Sequence, residues 1–93
     1  MNAVRAIERE SLDFCYVDAN HLFDECVMDI IEWSKRVRSG GIVSGDDYYQ
    51  LNQDRWRGGG VVEAVNAYTH AHRIPIWFLF VGHKSVDFMW VKP

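Results

Sequence analysis

The segment Leu12 to Asp18, LDFCYVD, constrains the fold most. Phe14, Cys15, Tyr16 and Val17 follow one another without the apolar–polar alternation of a half-buried strand. Such a run predicts a strand covered on both faces, the mark of a parallel sheet. Directly after it, from His21 to Arg38, apolar residues fall at Phe23, Cys26, Val27, Ile30, Ile31, Trp33 and Val37, close to the 3.6-residue helical period. Asn20 can cap this helix. Asp24 and Glu25 in its first turns, and Lys35, Arg36 and Arg38 in its last, complement the helix dipole. Gly40 and Gly41 read as its stop. A buried strand feeding a long amphipathic helix is the opening of a right-handed crossover to a second parallel strand.

The remaining elements fit that plan. Asn2 can cap a short helix over Ala3 to Glu10, with Val4 and Ile7 on one face. Ile42 to Gly45 reads as a short strand ending in Asp46 and Asp47. Tyr48 to Gly60 is a thirteen-residue connection closing in three glycines, a length found in lids and binding loops. Val61 to His72 reads as a helix with Val61, Val65 and Tyr68 inward and Ala64 beside them, ended by Ile74 and Pro75. Ile76 to Val81 and Val86 to Val91 are two strands joined through Gly82, His83, Lys84 and Ser85. The order αβαβαββ predicts an α/β protein whose terminal hairpin makes one strand antiparallel. Trp33, Trp77, Trp90 and the phenylalanines of the last two strands are expected in the core.

At 93 residues the chain is expected to form a single small domain spanning 1–93. Ten Lys plus Arg against thirteen Asp plus Glu give a net charge of -3, which argues against nucleic-acid and membrane-surface binding, since both need a basic face. The longest apolar run, Ile76 to Val81, is far short of a membrane span of roughly 18 residues. Met1 to Glu10 has no apolar core, so no secretory signal is expected. Cys15 and Cys26 lie in apolar stretches and read as buried free thiols of a reducing, cytoplasmic compartment, with a Cys15–Cys26 bridge as the alternative.

Ligands of open α/β sheets bind outside the carboxyl ends of the strands. Two strands here end in acidic residues: Asp18, followed by Asn20 and His21, and the Asp46–Asp47 pair. If the two strands are parallel neighbours, three carboxylates meet at one edge. They would suit a hard divalent cation such as Mg²⁺, or a general base and a hydrogen-bonding set for a ligand amine or hydroxyl. Equally, Asp18 or Asn20 would cap the helix beginning at His21, and Asp46 or Asp47 would open a turn. His70 and His72, two apart on a helix, do not share a face and read as solvated. Gly58 to Gly60 precede a helix N-terminus, but no Lys–Ser or Lys–Thr follows, so the phosphate-loop pattern is absent and the glycines read as a hinge. Trp56 either closes over a ligand or packs.

LDFCYVDANH, the amphipathic helix, VRSGGIVSGDDYY and GGGVVEAVNAY together resemble the second half of a class I S-adenosylmethionine-dependent methyltransferase, nearest to the small-molecule O-methyltransferase-like group. In that group the fourth strand carries a pattern like DFVFIDGDH, and the fifth a GG-x-h-x-G-x-D-Y pattern in which h is apolar. The resemblance covers Ser11 to Pro93 and implies half of a Rossmann-like fold. Its sheet order is 3-2-1-4-5-7-6, so the strands here would form the block 4-5-7-6, flanked by three helices. It implies S-adenosylmethionine as cofactor, with Asp18, Asn20 and His21 near its methionine part, and Asp18, His21 and Asp47 as catalytic residues. In metal-dependent members, acidic residues at these two strand ends hold Mg²⁺, which here would be Asp18, Asp46 and Asp47. The glycine-rich loop after the family's first strand and the acidic end of its second have no counterpart here.

Three readings follow. The first is a methyltransferase for a small hydroxylated acceptor, inactive as this isolated chain. The second is a non-catalytic remnant or binding module of the same fold that self-associates. The third is a metal-binding α/β domain with a hydrolytic or regulatory role. Strand Leu12 to Val17, interior in the family, would be an edge here, and an apolar edge invites pairing. The expected partners are therefore a small-molecule acceptor, and either a second copy covering that strand or its neighbouring helix, or a leading half.

Overall fold

The computed structural model describes residues 6–18, 22–50, 59–82 and 85–93, with backbone alone at 47, 49 and 50. Along the chain come β1 (Leu12–Val17), α1 (Phe23–Arg36), β2 (Val37–Gln50), α2 (Gly59–Ala71), β3 (Phe78–Val81) and β4 (Ser85–Val91). The four strands form one sheet in the order β1-β2-β4-β3. β1 and β2 are parallel, whereas β4 runs antiparallel to both β2 and β3. This is the 4-5-7-6 arrangement that the resemblance implies. Strands β1 and β2 are joined through α1, a parallel crossover of the kind expected.

Both helices lie on one face of the sheet. Cys15 and Val17 of β1, Val43 of β2, and Phe88 and Trp90 of β4 form one core with Cys26 and Ile30 of α1 and Val61, Ala64 and Val65 of α2. The register explains the set: Cys15 pairs with Val43 and Val43 with Trp90, so one row crosses the sheet under the helices. The adjacent rows face away. Phe14, Ile42 and Val91 form one, and Tyr16, Ser44, Met89 and Phe78 the next. Their large residues are half exposed, Phe14 at 53% and Tyr16 at 50%. β1 is therefore covered on one face, not on both. The apolar run in its sequence reflects two apolar faces, of which this chain buries one. The same holds for Phe78 and Phe80, which are exposed rather than in the core; Trp90 is buried, and Trp33 and Trp77 pack at its margin.

Other boundaries also differ from expectation. Residues 6–10 form turns instead of the end of a helix, and residues 3–5 lie outside the described residues. Glu10 adopts a φ of 57°, and this segment hangs on the end of α1: Glu10 N–H donates to Lys35 O at 2.9 Å and Arg36 Nε to Ile7 O at 3.1 Å. A helix of eight residues recovers little of its nucleation cost, so these tertiary bonds prevail. The described residues accordingly hold two helices rather than three.

The pair Gly40–Gly41 is not the helix stop. Val37 ends α1 in extended conformation and the chain passes straight into β2. The glycines instead form a bulge: five residues of β2 pass while β1 advances two, from Leu12↔Val37 to Phe14↔Ile42. Gly40 has a φ of 84°, which glycine adopts without strain, and a Cβ on Gly41 would lie 2.7 Å from the Asp13 carbonyl oxygen. β2 consequently runs from Val37 to Gln50, longer than the predicted Ile42 to Gly45, and takes in the start of the presumed long loop.

Candidate functional site

The last paired residues of β1 and β2 are Val17 and Gly45. The next residues, Asp18 and Asp46, thus emerge at adjacent places on neighbouring parallel strands, at the carboxyl edge where ligands of such sheets bind. Asp18 is exposed and Asp46 half-buried. β2 then bulges again. Gly45 pairs with Phe88 and Tyr49 with Val86, so four residues of β2 pass while β4 advances two. Asp46, Asp47 and Tyr48 occupy this bulge, a device that frequently re-aims side chains beside functional sites. Within it, Tyr48 Oη donates to Asn66 Oδ1 at 3.0 Å, tying the bulge to α2, and its ring tilts against Trp77 at 5.6 Å.

Gly45 makes the edge close-packed. A Cβ there would lie 2.4 Å from Phe88 Cζ and 2.7 Å from the Val17 carbonyl oxygen. The absence of a side chain lets the Phe88 ring lie directly beneath the acidic positions. Ser44 Oγ donates to Cys15 O at 3.1 Å and adds a side-chain bond between the two strands.

Helix capping does not account for Asp18. The N-cap of α1 is Leu22, which makes no side-chain cap bond, four residues beyond Asp18. Asn20 and His21 lie outside the described residues, as does the side chain of Asp47. Trp56, Gly58, His83 and Lys84 also fall outside them. Among the described residues no group of three or more His, Cys, Asp or Glu is placed to hold a metal ion. The Asp18, Asp46 and Asp47 set extends beyond that description.

Among the described residues β1 is the edge of the sheet, so they supply one wall at this end. β1 is followed by Asp18 and Ala19, not by a glycine-rich turn. The described residues supply one side of a site for an adenosyl cofactor, which for tight binding also needs a second wall and a backbone cradle.

The two cysteines are free and buried. Burial pushes each thiol up to about 11, slightly opposed at Cys15 by a hydrogen bond from the Ser44 backbone and reinforced at Cys26 by the charge of Asp29. Thiols held this far above neutrality are inert packing groups.

At the opposite end of the sheet lies a cavity of about 380 Å³, bounded by Arg9, Glu10, Lys35, His72 and Lys92 with Ser34 behind them. Lys35 is paired with Glu32 at 2.6 Å, and Lys92 Nζ donates to Val37 O at 2.6 Å. His72, exposed as expected, stacks on Tyr68 at 4.1 Å. Sequence reasoning did not find this cavity; its lining comes from four separate places along the chain, joined only by the fold.

In comparison with known proteins, residues 1–48 match the family model described as "Methyltransferase domain". No curated protein and no solved structure matches the chain. The match takes in β1, α1 and β2 as far as Tyr48, the segment that carries both acidic strand ends. No helix among the described residues is long and apolar enough to cross a membrane.

Proposed function

The chain belongs to the methyltransferase-domain family, and from that premise we propose that it carries the acceptor side of an S-adenosylmethionine-dependent methyl-transfer site for a small hydroxylated molecule. The parallel adjacency of β1 and β2 is the observation that supports this reading, because it sets Asp18 beside Asp46 and Asp47 at the carboxyl edge.

S-adenosylmethionine, when bound, supplies the methyl group from a sulfonium centre. The residues of this chain act on the acceptor. Carboxylates at Asp18 and Asp47 accept hydrogen bonds from its hydroxyl groups and fix its approach, and His21 takes the hydroxyl proton. Methyl transfer is an in-line displacement, so orientation of this kind supplies much of the acceleration. Asp18, Asn20 and His21 border the methionine part of the cofactor. A Mg²⁺ ion on Asp18, Asp46 and Asp47 would serve the same positioning, as a variant of this reading. With one wall of the site among the described residues, residues 1–93 by themselves are expected to bind the cofactor weakly and not to turn over. Its free thiols suit a cytoplasmic setting.

The open edge of β1 favours a second reading, in which the chain is a non-catalytic remnant that keeps the fold and self-associates. Titration calorimetry with S-adenosylmethionine separates the two. Weak, millimolar-range binding that disappears in Asp18→Ala is expected from the first reading. Equal affinity in that variant rejects the site, and absence of heat in the unaltered chain leaves the remnant.

A further inference from the structure

We propose that the open face of the sheet is a dimerisation surface and that the same face of a second copy covers it. The proposal does not depend on methyl transfer. Phe14 and Tyr16 stand at one flank of this face, and Phe78 and Phe80 at the other, all between 48% and 53% exposed. Between the flanks run Ile42, Ser44, Met89 and Val91, placed there by the register of β2 and β4. Asp87 pairs with Phe80, and Asp18 and Asp46 follow Tyr16 and Ser44 at the carboxyl edge, while these rows contain no basic residue. A face without cations does not attract a nucleic acid or an anionic membrane, both of which call for them.

Area and shape favour a second copy. Four half-exposed rings offer roughly 300–500 Å² per chain, taking about 150–250 Å² for a whole aromatic side chain. That is already as large as the biggest apolar patch on an ordinary monomer. Doubled across a two-fold axis, and with Val91, Met89 and Ile42 added, it reaches about 1,200 Å², the lower end of stable interfaces. An axis parallel to the strands lays β1 of one copy over β3 of the other. Rings at each flank then meet rings, and the flatter middle rows meet each other, as in two aligned sheets about 10 Å apart. The arrangement is self-complementary, as an isologous interface requires. It also refines the expectation of cover at β1: the face of that strand, not its edge, is what the second copy buries.

Light scattering on the full 93-residue chain at micromolar concentration tests this. The unaltered chain is expected at twice the monomer mass. Tyr16→Lys and Phe80→Lys, at opposite flanks, are each expected to halve it while keeping the helical circular dichroism, and Glu63→Lys on exposed α2 is expected to change nothing. A monomer at these concentrations overturns the proposal. So does a dimer that survives both flank substitutions, which would be an edge-strand dimer. Isotope-filtered NMR on mixed labelled and unlabelled unaltered chains reads the contact without substitution. Ring contacts between Phe14 or Tyr16 of one copy and Phe78 or Phe80 of the other support the face, and contacts confined to α1 and α2 overturn it.

Discussion

The two ends of the parallel strands carry opposite chemistry. At the carboxyl ends of β1 and β2 the chain places Asp18, Asp46 and Asp47; at the amino ends, Arg9, Lys35, His72 and Lys92 border a cavity, with Glu10 as its acid. A cavity alone would direct attention to the basic end. Strand direction directs it to the acidic one. An acidic edge suits a cationic sulfonium and hydroxyl donors, whereas a basic cavity suits an anion.

The two ends are joined through the core by a stack of rings. His72 lies on Tyr68, Tyr68 on Trp90 at 5.6 Å, and Trp90 on Phe88 at 5.6 Å, with Phe88 against Gly45 below the acidic edge. Removing the middle of this stack is the most severe way to break the comparison. Trp90→Ala is expected to cost about 3–5 kcal/mol and to loosen both ends together, read by urea unfolding and by amide exchange at Gly45 and His72. If only one end loosens, the stack does not join them. Gly45→Ala is expected to cost about 1–3 kcal/mol, because its methyl would overlap the Phe88 ring. Unchanged thermal stability would show that Phe88 moves away freely.

Function separates the ends more sharply. Losing a hydrogen bond to a charged group is worth about 1.5–3 kcal/mol, so Asp18→Ala should weaken S-adenosylmethionine binding roughly tenfold or more. Lys92→Ala at the other end should leave that affinity unaltered in the same calorimetric titration. The thiols give a pH test of the shared core. Their folded values, raised from 9.0 to about 11, favour the folded state below pH 9, where thiols of both states are protonated. As pH rises from 9 to 11 the unfolded chain loses these protons first, so stability should fall across that window. The Cys15→Ala/Cys26→Ala double variant should flatten the fall in a urea-midpoint series. The smallest effect is at Ser34, buried behind the basic cavity with an Oγ that has no hydrogen-bond partner among the described residues. Ser34→Ala should be neutral or stabilising by up to about 1 kcal/mol, and a clear loss would reveal a partner for that hydroxyl.

Much of this was legible in the sequence. The period of α1, the inward set Val61, Ala64 and Val65 of α2, and the parallel direction of β1 and β2 follow from local pattern and chain order, and the adjacency of the two strands from the family resemblance. The errors arose where pattern does not report context. LDFCYVD is apolar on both sides, but whether both sides are buried depends on what else packs there. Gly40 and Gly41 fit a helix stop as well as a bulge, and only the pairing with Lys92 decides: Gly40 N–H donates to Lys92 O, and Lys92 N–H to Gly41 O. Asp18 and Asp46 stand at the strand ends where the sequence put them, whereas the bulge that carries Asp46 was not legible, because nothing in Gly45 to Tyr49 signals how many residues β4 will oppose.

The central claim is that methyl-donor chemistry belongs to the acidic edge and not to the basic cavity. A ¹⁵N–¹H NMR titration of the 93-residue chain with S-adenosylmethionine tests it residue by residue. Shifts centred on the amides of Asp18, Gly45 and Asp46, with Glu10, His72 and Lys92 unmoved, are the predicted result. Shifts centred on Glu10, His72 and Lys92 would contradict it.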